Sequence, residues 1–201
     1  KKEKQLQRKF REAAKIFDYV WYGEFEIDFH KNTVTAAPVN VKYVNIENPS
    51  EEVATPETIN GNEGDDYTTT QKDVQNFEFV RVDGDTKGKL SNQGKTVTYY
   101  YKKLVGNVKV KHEWDDGTPL TEAEADGLKN GEALIKDKAV QGEDYAASKL
   151  ADKILSTKKE GTKSYNFKRQ YVGLKQGSAA ETGKVEAKKT KTVTFVYKKT
   201  K

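Results

Sequence analysis

The residue types that carry most protein chemistry are scarce in this sequence of 201 residues. It contains two histidines, His30 and His112, and no cysteine. A metal site or a nucleophile triad needs several such side chains converging on one point, and each histidine falls alone on an alternating stretch. Without cysteine there is no disulfide, thiolate metal site or cysteine nucleophile. The sequence therefore predicts neither a zinc site nor a catalytic triad, and His112 is interpreted as a side chain on the face of a sheet.

Acidic pairs are the remaining residues with chemical potential. Asp83 with Asp85, and Asp115 with Asp116, could ligate Ca²⁺, but neither pair has EF-hand spacing, and Asp-Gly sequences are ordinary turn formers. Among 31 acidic residues many carboxylate pairs exist, and sequence alone shows no two at the separation that glycoside hydrolysis needs. No glycine-rich phosphate loop occurs. The sequence thus favours a non-catalytic protein without a cofactor.

Charged and hydrophobic residues are almost equally frequent, at 33% and 34%, so we expect small cores under a largely solvated surface. Eleven Tyr and 8 Phe argue for a folded chain. The net charge of +5 comes from mixed signs, which predicts no nucleic-acid partner. No apolar run has the length of a membrane span or a signal-peptide core, so no membrane insertion is expected. Because methionine is absent, we interpret the chain as an internal fragment of a longer precursor.

The first 21 residues predict an amphipathic helix, because apolar residues recur at helical spacing. These residues are Leu6, Phe10, Ala13, Ala14, Phe17 and Trp21. A strand is predicted next, where Phe25, Ile27 and Phe29 alternate with polar residues. Residues 1–38 are therefore expected to form a helix-strand segment or the tail of a preceding domain.

The rest of the chain contains two unequal copies of one pattern. Each copy opens with an alternating strand, continues through an acidic turn with tyrosine and a glycine-punctuated stretch, and closes with an aromatic strand. The matching stretches are 39–43 with 108–114, GDDYTTT at 64–70 with GEDYAAS at 142–148, Gly84 and Gly88 with Gly177 and Gly183, and TVTYYYKK at 96–103 with TVTFVYKK at 192–199. Residues 39–104 and 105–201 are therefore predicted to be tandem repeats.

The closing strands predict the core, because alternation places one apolar set on a single face in each copy. These sets are Val97, Tyr99 and Tyr101 in the first copy and Val193, Phe195 and Tyr197 in the second. The second copy is longer because of two inserts. In the later insert Tyr145, Leu150, Ile154 and Leu155 follow helical spacing, which predicts at least one helix crossing a sheet. The Asp-Asp-Gly sequence at 115–117, with Pro119, predicts a hairpin turn after the opening strand.

The order of these motifs resembles the MucBP (mucin-binding protein) repeat of Gram-positive wall-anchored adhesins. Residues 39–103 resemble the short form from end to end, and residues 108–199 resemble the longer repeats. The resemblance implies an α+β, β-rich fold of tandem ubiquitin-like β-grasp repeats. It also implies binding to host mucin glycoproteins or other glycans, an extracellular location at the bacterial cell surface, and covalent anchoring to the cell wall through regions outside this fragment.

Aromatic side chains that stack on sugars and lysines that attract acidic sugars are the candidate ligand-binding residues. They are Tyr100, Tyr171, Trp114, Lys184, Lys188 and Lys189. Tyr67 is a further candidate aromatic, and core packing is the alternative for all four rings. The two inserts and the lysine-rich end predict that residues 108–199 hold the mucin affinity.

Two other functions stay open. The repeats could be a structural spacer that holds a distal binding domain away from the wall. They could instead recognise a host protein, for example by strand addition to a sheet edge. The short linker at residues 103–107 predicts an elongated monomer in either case.

Overall fold

The computed structural model describes residues 2–8 and 32–201, and the chain divides into two compact units, 1–34 and 35–201. In the first unit residues 2–8 are α-helical, in agreement with the start of the predicted amphipathic helix. The remainder of that helix prediction and the strand predicted around Phe25, Ile27 and Phe29 lie outside the described residues. The second unit contains both repeats.

The first repeat consists of seven strands. They are β1 (Val39–Asn45), β2 (Asn48–Glu52), β3 (Glu57–Ile59), β4 (Asp66–Thr68), β5 (Phe77–Asp83), β6 (Lys87–Lys89) and β7 (Lys95–Lys103). The opening and closing strands, β1 and β7, pair in parallel at the centre of a five-stranded sheet. Strands β2 and β3 pair with β1, and β5 pairs with β7, all antiparallel. Strands β4 and β6 form a separate two-stranded ribbon.

The second repeat has the same central topology. Its strands are β8 (Val105–Trp114), β9 (Glu132–Val140), β10 (Asp144–Ala146), β11 (Lys153–Glu160), β12 (Lys163–Leu174), β13 (Thr182–Lys184) and β14 (Thr190–Thr200). Strands β8 and β14 pair in parallel within a sheet of order β11-β12-β14-β8-β9. Strands β10 and β13 form the two-stranded ribbon.

The core faces predicted from alternation are confirmed in both repeats. Val97, Tyr99 and Tyr101 are buried, as are their counterparts in the second repeat, Val193, Phe195 and Tyr197. Each ribbon closes the opposite side of the core, contributing Tyr67 to the first core and Tyr145 to the second. The repeats are therefore β-sandwich-like, and the β-rich part of the expected fold is confirmed.

A shared ring arrangement lies at the centre of each core. Tyr43 stacks on Tyr99 with ring centroids 5.3 Å apart, and in the second repeat His112 stacks on Phe195 at 5.5 Å. His112 thus takes the place of Tyr43, as its position in the repeat predicts. It is a buried sheet-face side chain.

The repeated glycines of the ribbons are explained by the tyrosines opposite them. Gly88 pairs with Tyr67, and Gly183 pairs with Tyr145. A Cβ atom added at Gly88 would lie 3.3 Å from the Tyr67 ring, and one at Gly183 would lie 3.0 Å from the Tyr145 hydroxyl. Each tyrosine ring packs against the glycine opposite it, which leaves little space for a side chain there.

The predicted helix crossing a sheet is wrong for residues 32–201. Tyr145 lies in β10, and Ile154 and Leu155 lie in β11, which pairs antiparallel with β12. Gly161, at φ +62°, lies in the turn that joins these two strands. The backbone N–H and C=O groups that a helix would have bonded internally are therefore paired across the two strands. The helical spacing arose because Leu150 and Leu155 pack on the same core as Tyr145. Leu150 reaches this core from irregular backbone, and Leu155 reaches it from an extended strand.

One residue, Leu104, separates the last strand of the first repeat from the first strand of the second. Its N–H donates to the Asn76 carbonyl at 2.8 Å, and its carbonyl accepts from the Gln141 N–H at 3.0 Å. Lys188 Nζ of the second repeat lies 2.6 Å from Glu78 of the first. The junction between the repeats is therefore short and hydrogen-bonded from both sides.

Candidate functional site

A surface cleft of about 330 Å³ lies where β8 ends, in the second repeat. It is lined by Trp114, Asp115, Asp116, Thr118, Pro119, Thr121, Glu124 and Lys199, and is called the Trp114 cleft below. The chain turns back at Gly117, whose φ is +88° and whose N–H donates to the Trp114 carbonyl at 2.9 Å. Pro119 then forms an isolated bridge with Glu113. The predicted hairpin turn at residues 115–119 is therefore confirmed.

The far wall of the cleft is a short turn with reciprocal caps. The Thr121 N–H donates to Glu124 Oε1 at 3.0 Å, and the Glu124 N–H donates to Thr121 Oγ1 at 3.3 Å. This is the Thr-x-x-Glu capping box, which normally opens a helix. Here the turn ends at Gly127, whose φ is +97°. This turn is not among the predicted elements, although TEAE at residues 121–124 carries the signal for it.

Trp114 forms the floor of the cleft and is only 7% exposed. Its Nε1 donates to Glu124 Oε1 at 3.2 Å, and Lys199 Nζ lies 4.8 Å from the centre of its ring. Lys199 also pairs with Glu124 Oε2 at 2.8 Å. Burial alone would raise the pKa of Glu124, but hydrogen bonds from Lys199, Thr121 and Trp114 outweigh it and lower that pKa to about 2. The indole is therefore fixed in place between an anion and a cation.

The exposed rim of the cleft offers oxygen atoms to a ligand. Asp116 accepts from the Thr118 N–H at 2.9 Å and from the Thr118 hydroxyl at 2.6 Å, and these bonds hold the Asp116 pKa below its ordinary value. The Asp115 N–H donates to the Tyr197 carbonyl at 2.7 Å, which fixes the backbone there. The Asp115 carboxylate accepts no hydrogen bond from the described residues. Asp115 and the Thr118 oxygen can therefore accept from ligand hydroxyl groups.

Arg169 fixes the insert that carries the far wall. Its side chain is fully buried, and its Nη1 donates to the Glu124 carbonyl at 2.7 Å. Nη2 bonds the Asp126 carboxylate at 3.1 Å and the Ala151 carbonyl at 2.6 Å. Hydrogen bonds from Arg169, and next from Lys153, lower the pKa of Asp126 to about 2.

The first repeat has no such anchor. Arg169 pairs with Lys199 in the sheet, and the residue at the same register of the first repeat is Phe77, which pairs with Lys103. Likewise Trp114 pairs with Tyr197 where Asn45 pairs with Tyr101. The wall of the cleft and its anchor are thus specific to the second repeat.

Of the six candidate ligand-binding residues, Trp114 alone lines the cleft. Tyr100 is half-buried on β7, with the Arg81 guanidinium 4.2 Å from the centre of its ring. Tyr171 is half-buried and packs against the second core, with its ring centroid 5.7 Å from that of Tyr197. Tyr67, the further candidate aromatic, is buried, and its hydroxyl donates to the Asp85 carbonyl.

The three candidate lysines lie elsewhere on the second repeat, and each is paired with a carboxylate. Lys184, Lys188 and Lys189 have as partners, respectively, Asp144 at 2.7 Å, Glu78 at 2.6 Å and Glu186 at 3.5 Å. Part of their charge is therefore neutralised locally. The structure does not bring them to the Trp114 cleft.

Within residues 2–8 and 32–201, no three acidic or histidine side chains converge as a metal site would require. In the same part of the chain, no helix is long and apolar enough to cross a membrane.

Two strand-rich domains of one topology, each with its own core, define a tandem β-repeat protein. The chain belongs to the MucBP domain family, whose sequence profile matches residues 38–102 and 107–198.

Two relatives share the sequence pattern over part of their length. The chain is 34% identical over 101 residues to Internalin J of Listeria monocytogenes serotype 4b (strain F2365), and 32% identical over 75 residues to Internalin J of serovar 1/2a (strain ATCC BAA-679 / EGD-e). These matches cover 50% and 37% of this chain. They span only 11% and 9% of the relatives, about a tenth of their length.

Three solved structures show distant similarity. Streptococcal High Identity Repeats in Tandem (SHIRT) domains 3-4 from a cell surface protein align with a TM-score of 0.36 and 14% identity, over 82% of this chain and 98% of that chain. Mub-RV aligns at 0.25 and 10%, over 82% and 100%. The type 2 repeat of the mucus binding protein MUB from Lactobacillus reuteri aligns at 0.24 and 11%, also over 82% and 100%.

Proposed function

We propose that the chain is a non-catalytic repeat region of an extracellular Gram-positive surface adhesin, and that the Trp114 cleft binds host mucin glycans. One observation carries the proposal. The second repeat of this MucBP chain contains an insert, anchored by the buried Arg169, that forms a polar cleft. The first repeat reaches its fold without this insert. Surface insertions of this kind are where binding functions are commonly placed.

The chemistry of the cleft favours an uncharged sugar unit. The carboxylates of Asp115, Asp116 and Glu124 repel anions, whereas Asp115 and Thr118 can accept hydrogen bonds from neighbouring hydroxyl groups. Pro119 and Trp114, which both line the cleft, give an apolar surface for the sugar carbons. A neutral hexose or N-acetylhexosamine of a mucin-type glycan meets these requirements.

The remaining candidate residues, Tyr100, Tyr171, Lys184, Lys188 and Lys189, stay predicted contacts outside the cleft. We further propose that the protein acts as a monomer, anchored to the cell wall through regions beyond this fragment. A β-grasp origin of each repeat also belongs to this proposal. The parallel pairing of first and last strands supports it.

The test is retention of the full 201-residue chain on immobilised mucin at physiological salt. Asp115→Asn removes a charged hydrogen-bond acceptor, worth about 1.5–3 kcal/mol, so we expect retention to weaken at least about tenfold. Thr118→Val removes the second acceptor and should act in the same direction. Glu47→Gln is the matched control, because Glu47 is exposed in the corresponding turn of the first repeat.

The outcomes separate the proposal from its alternatives. Competition by free neutral oligosaccharide supports it. Absence of retention by the unchanged chain would favour a spacer, and retention that survives deglycosylation of the mucin would favour protein recognition. Equal loss in Glu47→Gln and Asp115→Asn would also contradict a site in the second repeat.

A further inference from the structure

The β11–β12 hairpin extends beyond the sheet of the second repeat. Ser156–Phe167 pair only across the hairpin, because β14 joins β12 from Lys168 onward. We call residues 156–168 the basic arm. The segment contains four lysines, one glutamate and no aspartate.

Three of the four lysines of the basic arm have no acidic partner among the described residues. Lys158 pairs with Glu160 at 3.6 Å. Lys159, Lys163 and Lys168 are exposed and have no carboxylate within ion-pair distance among the described residues. The same holds for Lys198 and Lys201, at the adjoining end of β14. Nine lysines of the second repeat have no such partner among the described residues. These five lie at one end of the sheet, while Lys111, Lys129, Lys138 and Lys149 lie elsewhere.

Two aromatic rings lie on one face of the basic arm. Tyr165 pairs with Lys158, and Phe167 pairs with Ser156. Both rings are half-buried, and neither packs against the core cluster of the repeat. Lys201 Nζ lies 4.1 Å from the centre of the Tyr165 ring. The rings therefore occupy one face of the arm, and Lys159 and Lys168 lie on the opposite face.

The spacing of the charges fits an extended ligand. Cross-strand pairs share a face, so Lys159 (opposite Ser164), Lys168 and Lys198 (opposite Gln170) lie on one face of the sheet, whereas Lys163 lies on the other face with Tyr165. At the rise of a β-strand, Lys159 and Lys198 are about 20 Å apart along β12. A single small anion cannot contact both. A linear polyanion with a charge on successive units can do so, and each ammonium group then acts as a point charge for one anionic group.

We propose that the face of the basic arm that carries Lys159 and Lys168, with Lys198 beside it on β14, binds a linear sulfated polysaccharide through its sulfate groups. The arm carries lysine but no arginine, and Lys201 covers a face of Tyr165, so base stacking of a nucleic acid is disfavoured. The location of the protein at the cell surface is part of the proposed function, and the inference rests on the proposed function for that location. The site itself is separate from the Trp114 cleft, whose carboxylates repel polyanions.

The test is binding of the full chain to immobilised heparin, with neutral dextran and single-stranded DNA of matched charge as comparison ligands. The double variant Lys159→Gln/Lys168→Gln should bind heparin at least tenfold more weakly and show a smaller loss of binding on addition of salt. Lys136→Gln/Lys175→Gln is the matched control, because both lysines are ion-paired in the same repeat. It should change heparin binding less than threefold.

Three results would overturn the inference: no heparin binding at physiological salt, equal loss in both double variants, or equally tight binding of single-stranded DNA. The Asp115→Asn variant separates this inference from the proposed function. It should keep full heparin binding while losing mucin retention. If it keeps both, the proposed function fails and the basic arm stands; if the arm variant keeps heparin binding, the inference fails and the cleft stands.

Discussion

His112 and Tyr43 occupy the same place in the two repeats, yet only histidine has an ordinary pKa near neutral pH. Its Nδ1 lies 2.8 Å from the Tyr197 hydroxyl, and its ring is 2% exposed. Burial lowers its pKa to about 4, and the charge of Arg169 acts in the same direction against a smaller opposing effect of Asp126. The side chain is therefore neutral in the folded protein at conditions where it is protonated in the unfolded chain.

We predict that the second repeat loses stability as pH falls from 6.5 to 4. In that interval the unfolded chain binds a proton at His112 and the folded chain does not, so unfolding becomes more favourable by up to about 3 kcal/mol. Loss through Glu124 and Asp126 comes later, as pH falls from 4.5 toward 2, because their folded pKa values are depressed to about 2.

Amide exchange in β8 measures this loss, and β1 of the first repeat serves as the internal reference. The variant His112→Tyr copies the residue of the first repeat and should remove the slope between pH 6.5 and 4. If the native protein shows a flat profile there, His112 is not held neutral by its surroundings.

At the scale of elements, the alternation of apolar and polar residues was enough to predict the opening and closing strands. Their period of two fixes which side chains reach the core, and it was confirmed at Val97 and Val193. The helix prediction failed because spacing alone does not distinguish a helix from residues such as Leu150 and Leu155, which reach one core from separate backbone segments.

Only part of the candidate site could be predicted from the sequence. Trp114 and the turn after it were predicted, since both lie at the end of an alternating strand. The far wall was not, because it depends on Arg169, which lies 45 residues beyond Glu124 in sequence and bonds its carbonyl. A single buried arginine leaves no periodic pattern in the sequence. Lys184 and Lys188, which were predicted because lysines are dense in that part of the sequence, are ion-paired.

Replacing Arg169 with methionine should destabilise the second repeat by about 3 kcal/mol. The carbonyls of Glu124 and Ala151 then lose their buried donor, at about 1–3 kcal/mol for each unsatisfied group. Denaturant unfolding followed through β14 amides measures the change. Lys168→Met is the control, because Lys168 is exposed on the neighbouring position of β12, and a change within about 0.5 kcal/mol is expected. Similar effects of both variants would contradict an anchoring role for Arg169.

At the scale of the whole molecule, the two repeats keep separate cores and are joined through Leu104. Gly106 lies two residues after Leu104 and passes close to the loop before β14. A Cβ atom at this position would lie 1.9 Å from the Glu186 carbonyl oxygen. Sequence alternation gives no hint of this approach, since the residues involved are 80 positions apart.

The variant Gly106→Ala should therefore destabilise the second repeat by about 3 kcal/mol and leave the first repeat unchanged. Amide exchange resolves the two repeats in one experiment, through β8 and β14 against β1 and β7. Gly94→Ala is the matched control, because a Cβ atom there would lie 3.4 Å from the Pro38 carbonyl oxygen, an ordinary contact. Equal destabilisation of both repeats by Gly106→Ala would mean that they unfold as one unit.

We propose that the Trp114 cleft binds neutral mucin-type sugars. An NMR titration of the full chain that follows the amide and indole N–H signals tests this binding most directly. The indole N–H of Trp114, bonded to Glu124 at the floor of the cleft, is a built-in reporter. With a neutral mucin-type oligosaccharide, we predict saturable shifts at that N–H and at residues 115–121. Shifts confined to other surfaces, or no shift at millimolar oligosaccharide, would contradict the account.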